Sequence, residues 1–310
     1  MFIEQGIKKE NEFWRYILGS VVVIFGSFVG QIPLLIAIFI KGMENGTMPS
    51  DSNDLMKFLD PNLSLFLMLI SFAVALYGLY LVVKYFHKQT ILSVTTSRPK
   101  IDWSRVVFAF GIWAAFTIIS TLLTFYFEPG QLIWNFKPVQ FVILFFIALI
   151  FIPIQTSTEE YVFRGYLMQG FANLSKNKWF PLLMTSLIFG GMHYFNPEVQ
   201  KMGNIVMIYY IGTGLFLGII TLMDEGMELA LGFHAANNLV GALLVTSDWS
   251  ALQTHSVFKD ISQPSAGADV IYPVLIFFPI LIYIFSRKYK WNNWKDKLLG
   301  NVIVEQEIKY

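Results

Sequence analysis

Eight stretches of this chain run for 17 to 24 residues without a Lys, Arg, Asp or Glu. They are Ile17 to Ile40, Leu63 to Val83, Val106 to Phe127, Pro138 to Thr158, Trp179 to Pro197, Met202 to Met223, Leu229 to Thr246 and Val270 to Ser286. A helix needs roughly 20 apolar residues to cross a ~30 Å hydrocarbon core, and these runs are near that length. Backbone amides in lipid must be paired within the protein, so a chain like this has only helices or a closed barrel open to it. The runs are unbroken rather than alternating, which excludes the barrel. Of the 310 residues, 55% are hydrophobic and only 14% charged, a balance that a water-soluble domain of this size would not carry. The expectation is an all-α, polytopic membrane protein of about eight transmembrane helices, placed in the cell membrane with the lipid bilayer as its solvent.

The net charge of +1 conceals an asymmetry. If the N-terminus lies in the cytoplasm, the loops on that side and the two ends carry 17 Lys and Arg, among them Lys8, Lys9 and Arg15, against 5 on the other side. Basic residues collect on the cytoplasmic side of membrane proteins, so the count predicts an N-in, C-in orientation. The loop around Asp224, Glu225 and Glu228 breaks the pattern by being acidic. Basic residues that encode topology leave no patch for nucleic acid, which is not an expected partner. The chain has no Cys, which removes disulfides and thiolate metal sites from consideration.

An ionisable side chain inside a span costs about 2.5 to 3.5 kcal/mol at the helix centre on insertion scales, so each one asks for a reason. Three clusters stand out. Glu159, Glu160 and Arg164 lie in E-E-Y-V-F-R-G, where the fourth run gives out. Glu160 and Arg164 are at i, i+4 with the acid first, the orientation of a helical ion pair, and Glu159 points about 100° away as the freer base. Phe189 and His193 share a helix face in F-G-G-M-H. His234 and Asn238 are stacked by the same spacing in H-A-A-N-N. Convergence of these groups would bury them away from lipid and assemble a base (Glu159), a water-holding imidazole (His193) and two donors for an oxyanion (His234 and Asn238).

Each feature alone has a plainer reading: a solvated ion pair at a helix end, or a His or Asn that holds two helices together. His87 and His255 read as surface residues, Gln31, Gln140 and Gln155 as packing, and the 30 Phe as lipid-facing bulk. The segment Ser93 to Arg105 reads as a basic stretch at the headgroup layer.

The succession E-E-x-x-x-R-G, F-x-x-x-H and H-x-x-x-N in consecutive helices resembles the CAAX prenyl protease type 2 and bacteriocin-processing family, also called the Abi or lysostaphin-resistance-like family. The match covers roughly Pro138 to Thr246. The resemblance implies an intramembrane endopeptidase acting on a peptide or protein substrate near the cytoplasmic membrane face, in peptide maturation or bacteriocin immunity. It also implies three parts: helices 1–3 in residues 1–137, the protease core in 138–246, and an outer loop, last helix and basic tail in 247–310. The family has been described both as glutamate proteases and as metalloproteases. Glu159, His193 and His234 can make a zinc ligand set, but no H-E-x-x-H pair is present, and a Glu-activated water with no metal is the favoured expectation. Two rivals remain: a proton-relaying transporter, which would show broken and repeated helices, and a non-proteolytic immunity or scaffold protein.

Overall fold

The computed structural model describes residues 1–7, 11–50, 52–264 and 267–302. Every apolar run contains a helix, and two more lie outside the runs, α5 and α10: α1 Phe13–Asn45, α2 Pro61–Leu81, α3 Trp103–Phe127, α4 Pro138–Glu160, α5 Met168–Ser175, α6 Trp179–Met192, α7 Val206–Asp224, α8 Glu228–Leu244, α9 Phe278–Lys288 and α10 Trp294–Leu299. Their connections range from the three residues between α5 and α6 to the long outer segment between α8 and α9. Among the described residues, six helical spans are long and apolar enough to cross a membrane, and α6, of 14 residues, and α8, of 17, are shorter. The chain is therefore a polytopic, all-α membrane protein.

One boundary differs from the sequence expectation. The helix that begins at Pro138 does not run out at Glu160 but widens into a π-helical turn, Tyr161–Leu167, and continues through α5 to Ser175, 38 residues in all. A π turn is the usual way to seat an extra residue inside a helix, and it is frequent at functional sites. Glu159, Glu160 and Arg164 thus lie within a continuous helix, and Arg164 is not a loop residue that reports topology.

α8 is the central element. One face packs with α3, α7 and α9 through Ala109, Trp113, Phe216, Phe233, Ala236 and Phe278. Its other face packs with α2 and α4 through Leu65, Leu69, Leu144, Ala148, Ile152 and Leu239. Close approach to α3 depends on Gly232, where a Cβ would collide with the Val106 carbonyl oxygen, and small residues at such contacts are how helices associate without a hydrophobic driving force. α1 lies at the periphery with Phe25, Phe28 and Phe39 exposed. The Phe are accordingly divided between lipid-facing bulk and the core, since Phe216, Phe233, Phe278 and Phe285 are buried.

The N-terminal segment and α10 meet at one end of the bundle. Phe2 and Ile3 are buried, Lys178 Nζ donates to Met1 Sδ and to the Asp296 carbonyl, and Phe2 N donates to Glu225. The acidic turn after α7 lies there too. Arg98 bridges Asp224 at 2.9 Å and Glu228 at 3.0 Å, Arg105 pairs with Asp224, and Trp291 Nε1 donates to Asp224 at 3.0 Å. The acids that break the charge pattern are therefore partners of the Ser93 to Arg105 segment, which is a structural clamp rather than a bare headgroup stretch. Lys8, Lys9 and the last eight residues of the tail lie outside the described residues. At the other end, β1 Leu132–Trp134, β2 Val245–Ser247 and β3 Phe258–Asp260 form a small sheet of order β1-β3-β2, antiparallel between β1 and β3 and parallel between β2 and β3.

His87 is not a surface residue. It is buried, with Nδ1 2.9 Å from Asn11 Oδ1, Nε2 3.1 Å from the Tyr166 hydroxyl, and the Tyr16 ring 4.4 Å away. It ties the chain ahead of α1 to the end of α2 and to the π turn. His255 is half-buried and lies 3.3 Å from Asp60. A neutral imidazole serves both His87 bonds, Nδ1–H donating to Asn11 and Nε2 accepting from Tyr166. Burial pushes the group from the ordinary 6.5 down to about 4, with the charge of Arg15 adding to the shift. Above pH 6.5 it is neutral in the folded and unfolded chain alike. As the pH falls toward 4 the unfolded chain takes up a proton that the folded one does not, so stability is lost across that window. We predict a thermal midpoint that declines from pH 6.5 to pH 4, with a shallower decline in His87→Gln measured in the same detergent.

Candidate active site

The site is a junction of α4, the π turn, α6, α7 and α8. Glu160 and Arg164 are fully buried. Arg164 Nη1 bonds Glu160 Oε1 at 3.0 Å, Nη2 donates to the Gly214 carbonyl on α7 at 3.3 Å, and the guanidinium lies 4.4 Å above the Phe189 ring. Such a charge is tolerable in an apolar bundle only when it is paired and hydrogen-bonded. His234 enters from α8 and places Nδ1 2.7 Å from Glu160 Oε1. Its Nε2 lies 3.4 Å from Glu159 Oε2. The imidazole thus bridges two adjacent carboxylates that the helix directs to different faces.

Phe189 occupies the centre of the packing. It is buried and its ring centroid is 6.0 Å from His234, 4.9 Å from His193 and 5.4 Å from Phe163. His193 lies just past the end of α6. Its Nδ1 is 2.8 Å from the Phe189 carbonyl oxygen and its ring stacks on Tyr210 at 4.3 Å. A carbonyl accepts only, so Nδ1 carries the proton and Nε2 is an acceptor. The structure gives His193 no hydrogen bond or ion pair to Glu159 or His234.

Asn238 completes a second rung one turn along α8. Its Nδ2 donates to Gln155 Oε1 on α4 at 3.0 Å. Gln155 and Glu159 are at i, i+4, as are His234 and Asn238, so two antiparallel helices face each other through matched pairs, Glu159 with His234 and Gln155 with Asn238. Sequence reasoning set Gln155 aside as packing. The only available signal was its spacing from Glu159, and that gains meaning only once α4 and α8 are known to be antiparallel neighbours.

The ligand set proposed for zinc does not assemble in this arrangement. Both His234 nitrogens face carboxylates, His193 is turned to a backbone carbonyl, and among the described residues no group of three or more His, Asp or Glu is disposed to hold a metal ion. What the arrangement does supply is a carboxylate with partial exposure, an imidazole that can share its proton, and a carboxamide donor beside them. The Glu159 side chain is 17% exposed, whereas that of Glu160 is 0% exposed. Of the two acids, only Glu159 is accessible to a water.

Comparison with known proteins agrees with this reading of the motifs. The family described as type II CAAX prenyl endopeptidase Rce1-like matches residues 138–240, the segment that contains all seven site residues. The chain is 32% identical over 241 residues to Uncharacterized protein YyaK of Bacillus subtilis (strain 168), an alignment that covers 77% of this chain and 80% of that protein. No solved structure matches the chain. The chain belongs to the type II CAAX prenyl endopeptidase Rce1-like family, as a multi-pass membrane member of it.

Proposed function

We propose that this chain is an intramembrane endopeptidase that hydrolyses a peptide bond with a water activated by Glu159 and no metal. It belongs to a protease family, and the observation that carries the finer reading is the Glu159–His234 contact beside the Asn238 carboxamide. Together these give a base and two donors within one turn of α8.

The chemistry follows from the groups present. Glu159 takes a proton from a water as the oxygen attacks the scissile carbonyl carbon, and the carbonyl π electrons move to oxygen. The resulting oxyanion is met by an N–H of Asn238 and by Nε2–H of His234 in its doubly protonated form, whose Nδ1–H stays on Glu160, donors that an apolar surrounding makes more effective than they would be in water. The carbon–nitrogen bond then breaks, and Glu159 returns its proton to the leaving amine. His193, with Nε2 as an acceptor, holds the attacking water in line. Glu160 and Arg164 support this rather than take part: Glu160 holds Nδ1 of His234, and Arg164 neutralises Glu160. The substrate is a peptide segment arriving at or within the membrane, and with the N-in, C-in orientation the site serves the cytoplasmic side.

The reading is tested on full-length protein in detergent or liposomes with a quenched fluorogenic peptide library and a farnesylated peptide ending in a CAAX sequence. We expect cleavage by the wild type, a loss of about 100-fold or more in Glu159→Gln, and no effect of a chelator. Absence of cleavage under every condition would reject the enzyme. Loss with chelator and recovery with zinc would reject the metal-free route.

The supporting role of Arg164 makes a separate prediction. Removing one partner of a buried pair leaves an uncompensated charge, at a cost of about 3 to 5 kcal/mol. Arg164→Met is expected to lower the thermal midpoint sharply, and Glu160→Gln added to it is expected to recover part of the loss. A double variant no more stable than Arg164→Met would contradict the pairing.

A further inference from the structure

The carboxamide of Asn238 is held at both ends. Its oxygen accepts from Asn237 Nδ2 at 3.0 Å, and its nitrogen donates to Gln155 Oε1 at 3.0 Å. Asn237 is held in turn by α3, because Trp113 Nε1 donates to Asn237 Oδ1 at 3.1 Å. The four side chains form a directed chain, Trp113 to Asn237 to Asn238 to Gln155, in which each donor points toward α4. Trp113 lies outside the three motifs, and Asn237 holds an unspecified position of the third.

An amide can turn over and exchange its donor and acceptor ends, so Asn238 alone does not determine which end faces the substrate. An indole N–H cannot: it donates and has no acceptor. Trp113 therefore requires the oxygen of Asn237, which leaves the Asn237 nitrogen for the oxygen of Asn238, which leaves the Asn238 nitrogen for the side of the site. Reversing any one amide sets donor against donor or acceptor against acceptor, and away from water each orphaned group carries its full desolvation penalty. Trp113 is itself fixed, buried with its ring 4.6 Å from Phe233 and 4.9 Å from Phe116.

The geometry points to Trp113 and Asn237 as positioning residues that determine the polarity of the Asn238 amide, so that its N–H and not its oxygen faces the developing oxyanion. This rests on the reading of Asn238 as an oxyanion donor. Because Asn238 has two N–H bonds and Gln155 takes one, the second is available for substrate.

The test uses the full-length chain and the farnesylated quenched peptide, or the best-cleaved peptide of the library, and compares Asn238→Ala, Trp113→Phe and Asn237→Asp. Asn238→Ala is expected to lower kcat about 100-fold, the scale on which a single oxyanion donor acts. Trp113→Phe keeps the ring and removes only the N–H, so kcat should fall about 5-fold, the factor expected of one net hydrogen bond, with KM within about 2-fold. Asn237→Asp is nearly isosteric and gives a readout that packing cannot imitate. Ionised, it has acceptors only, so it turns the Asn238 oxygen toward the site; protonated, it regains a donor and the native direction. Its kcat relative to wild type should therefore fall as the pH rises, with KM unchanged. Thermal midpoints confirm that each variant is folded. If Asn238→Ala is fully active, the oxyanion reading fails and the inference fails with it. If Asn238→Ala is inactive while Trp113→Phe keeps full kcat and the Asn237→Asp ratio does not vary with pH, the inference alone is overturned.

Discussion

The bond set of Glu160, Arg164 and His234 is the constraint on which the rest of the site depends. A fully buried carboxylate and guanidinium in an apolar bundle are sustainable only as a pair whose remaining atoms are largely satisfied, and the two partners here stand one turn apart on one helix while their further bonds reach two others. The guanidinium reaches from the π turn to α7, and the imidazole reaches from α8 to α4. The pair therefore acts as a pin through three helices. Its position fixes the rotation of α8 about its axis, and that rotation brings His234 against Glu159 and Asn238 against Gln155. Glu160 Oε2 and Arg164 Nε have no hydrogen-bond partner.

α8 can carry His234, Asn237 and Asn238 because it does not face lipid. It is shorter than the outer spans and is enclosed by α2, α3, α4, α7 and α9, so the expense of its polar groups is met by partners on α3 and α4 rather than by hydrocarbon. α1 shows the opposite arrangement, uniformly apolar and mostly exposed. The gradient from apolar periphery to polar centre is what lets one chain satisfy both the bilayer and a hydrolytic site.

Much of this was legible in the sequence, and what was not has a common cause. Hydropathy along a chain finds helices, and i, i+4 spacing finds groups on one face, so Glu160 with Arg164 and His234 with Asn238 could be read directly. Partners across helices could not. Gln155, Asn237 and Trp113 are unremarkable in their own segments and acquire roles only from partners on other helices, 83 residues away for Gln155 and 124 for the Trp113–Asn237 pair. His87 and the Arg98–Asp224–Glu228 clamp were missed for the same reason, since a loop residue and a buried one have the same letter. The end of α4 was misread because the charged Glu159-Glu160 pair looks like a span boundary, whereas the helix passes through it and the charges are neutralised from the side.

That continuation also decides how far the site lies from the turn between α5 and α6. Glu159 stands sixteen residues before Ser175, about 24 Å along a helix, and His193 stands fourteen residues after Trp179, about 21 Å. The two arms of the α5–α6 hairpin thus deliver both residues to nearly the same height above that turn. His234 is six residues, about 9 Å, from Glu228, where α8 begins at its clamp with Arg98. A base enclosed by packed helices needs its own access to water, which explains the division of labour between neighbours in sequence. The helix turns Glu160 into the packed interior, where it can only hold its partners, and turns Glu159 to the partly exposed side, where a water and a peptide can meet it.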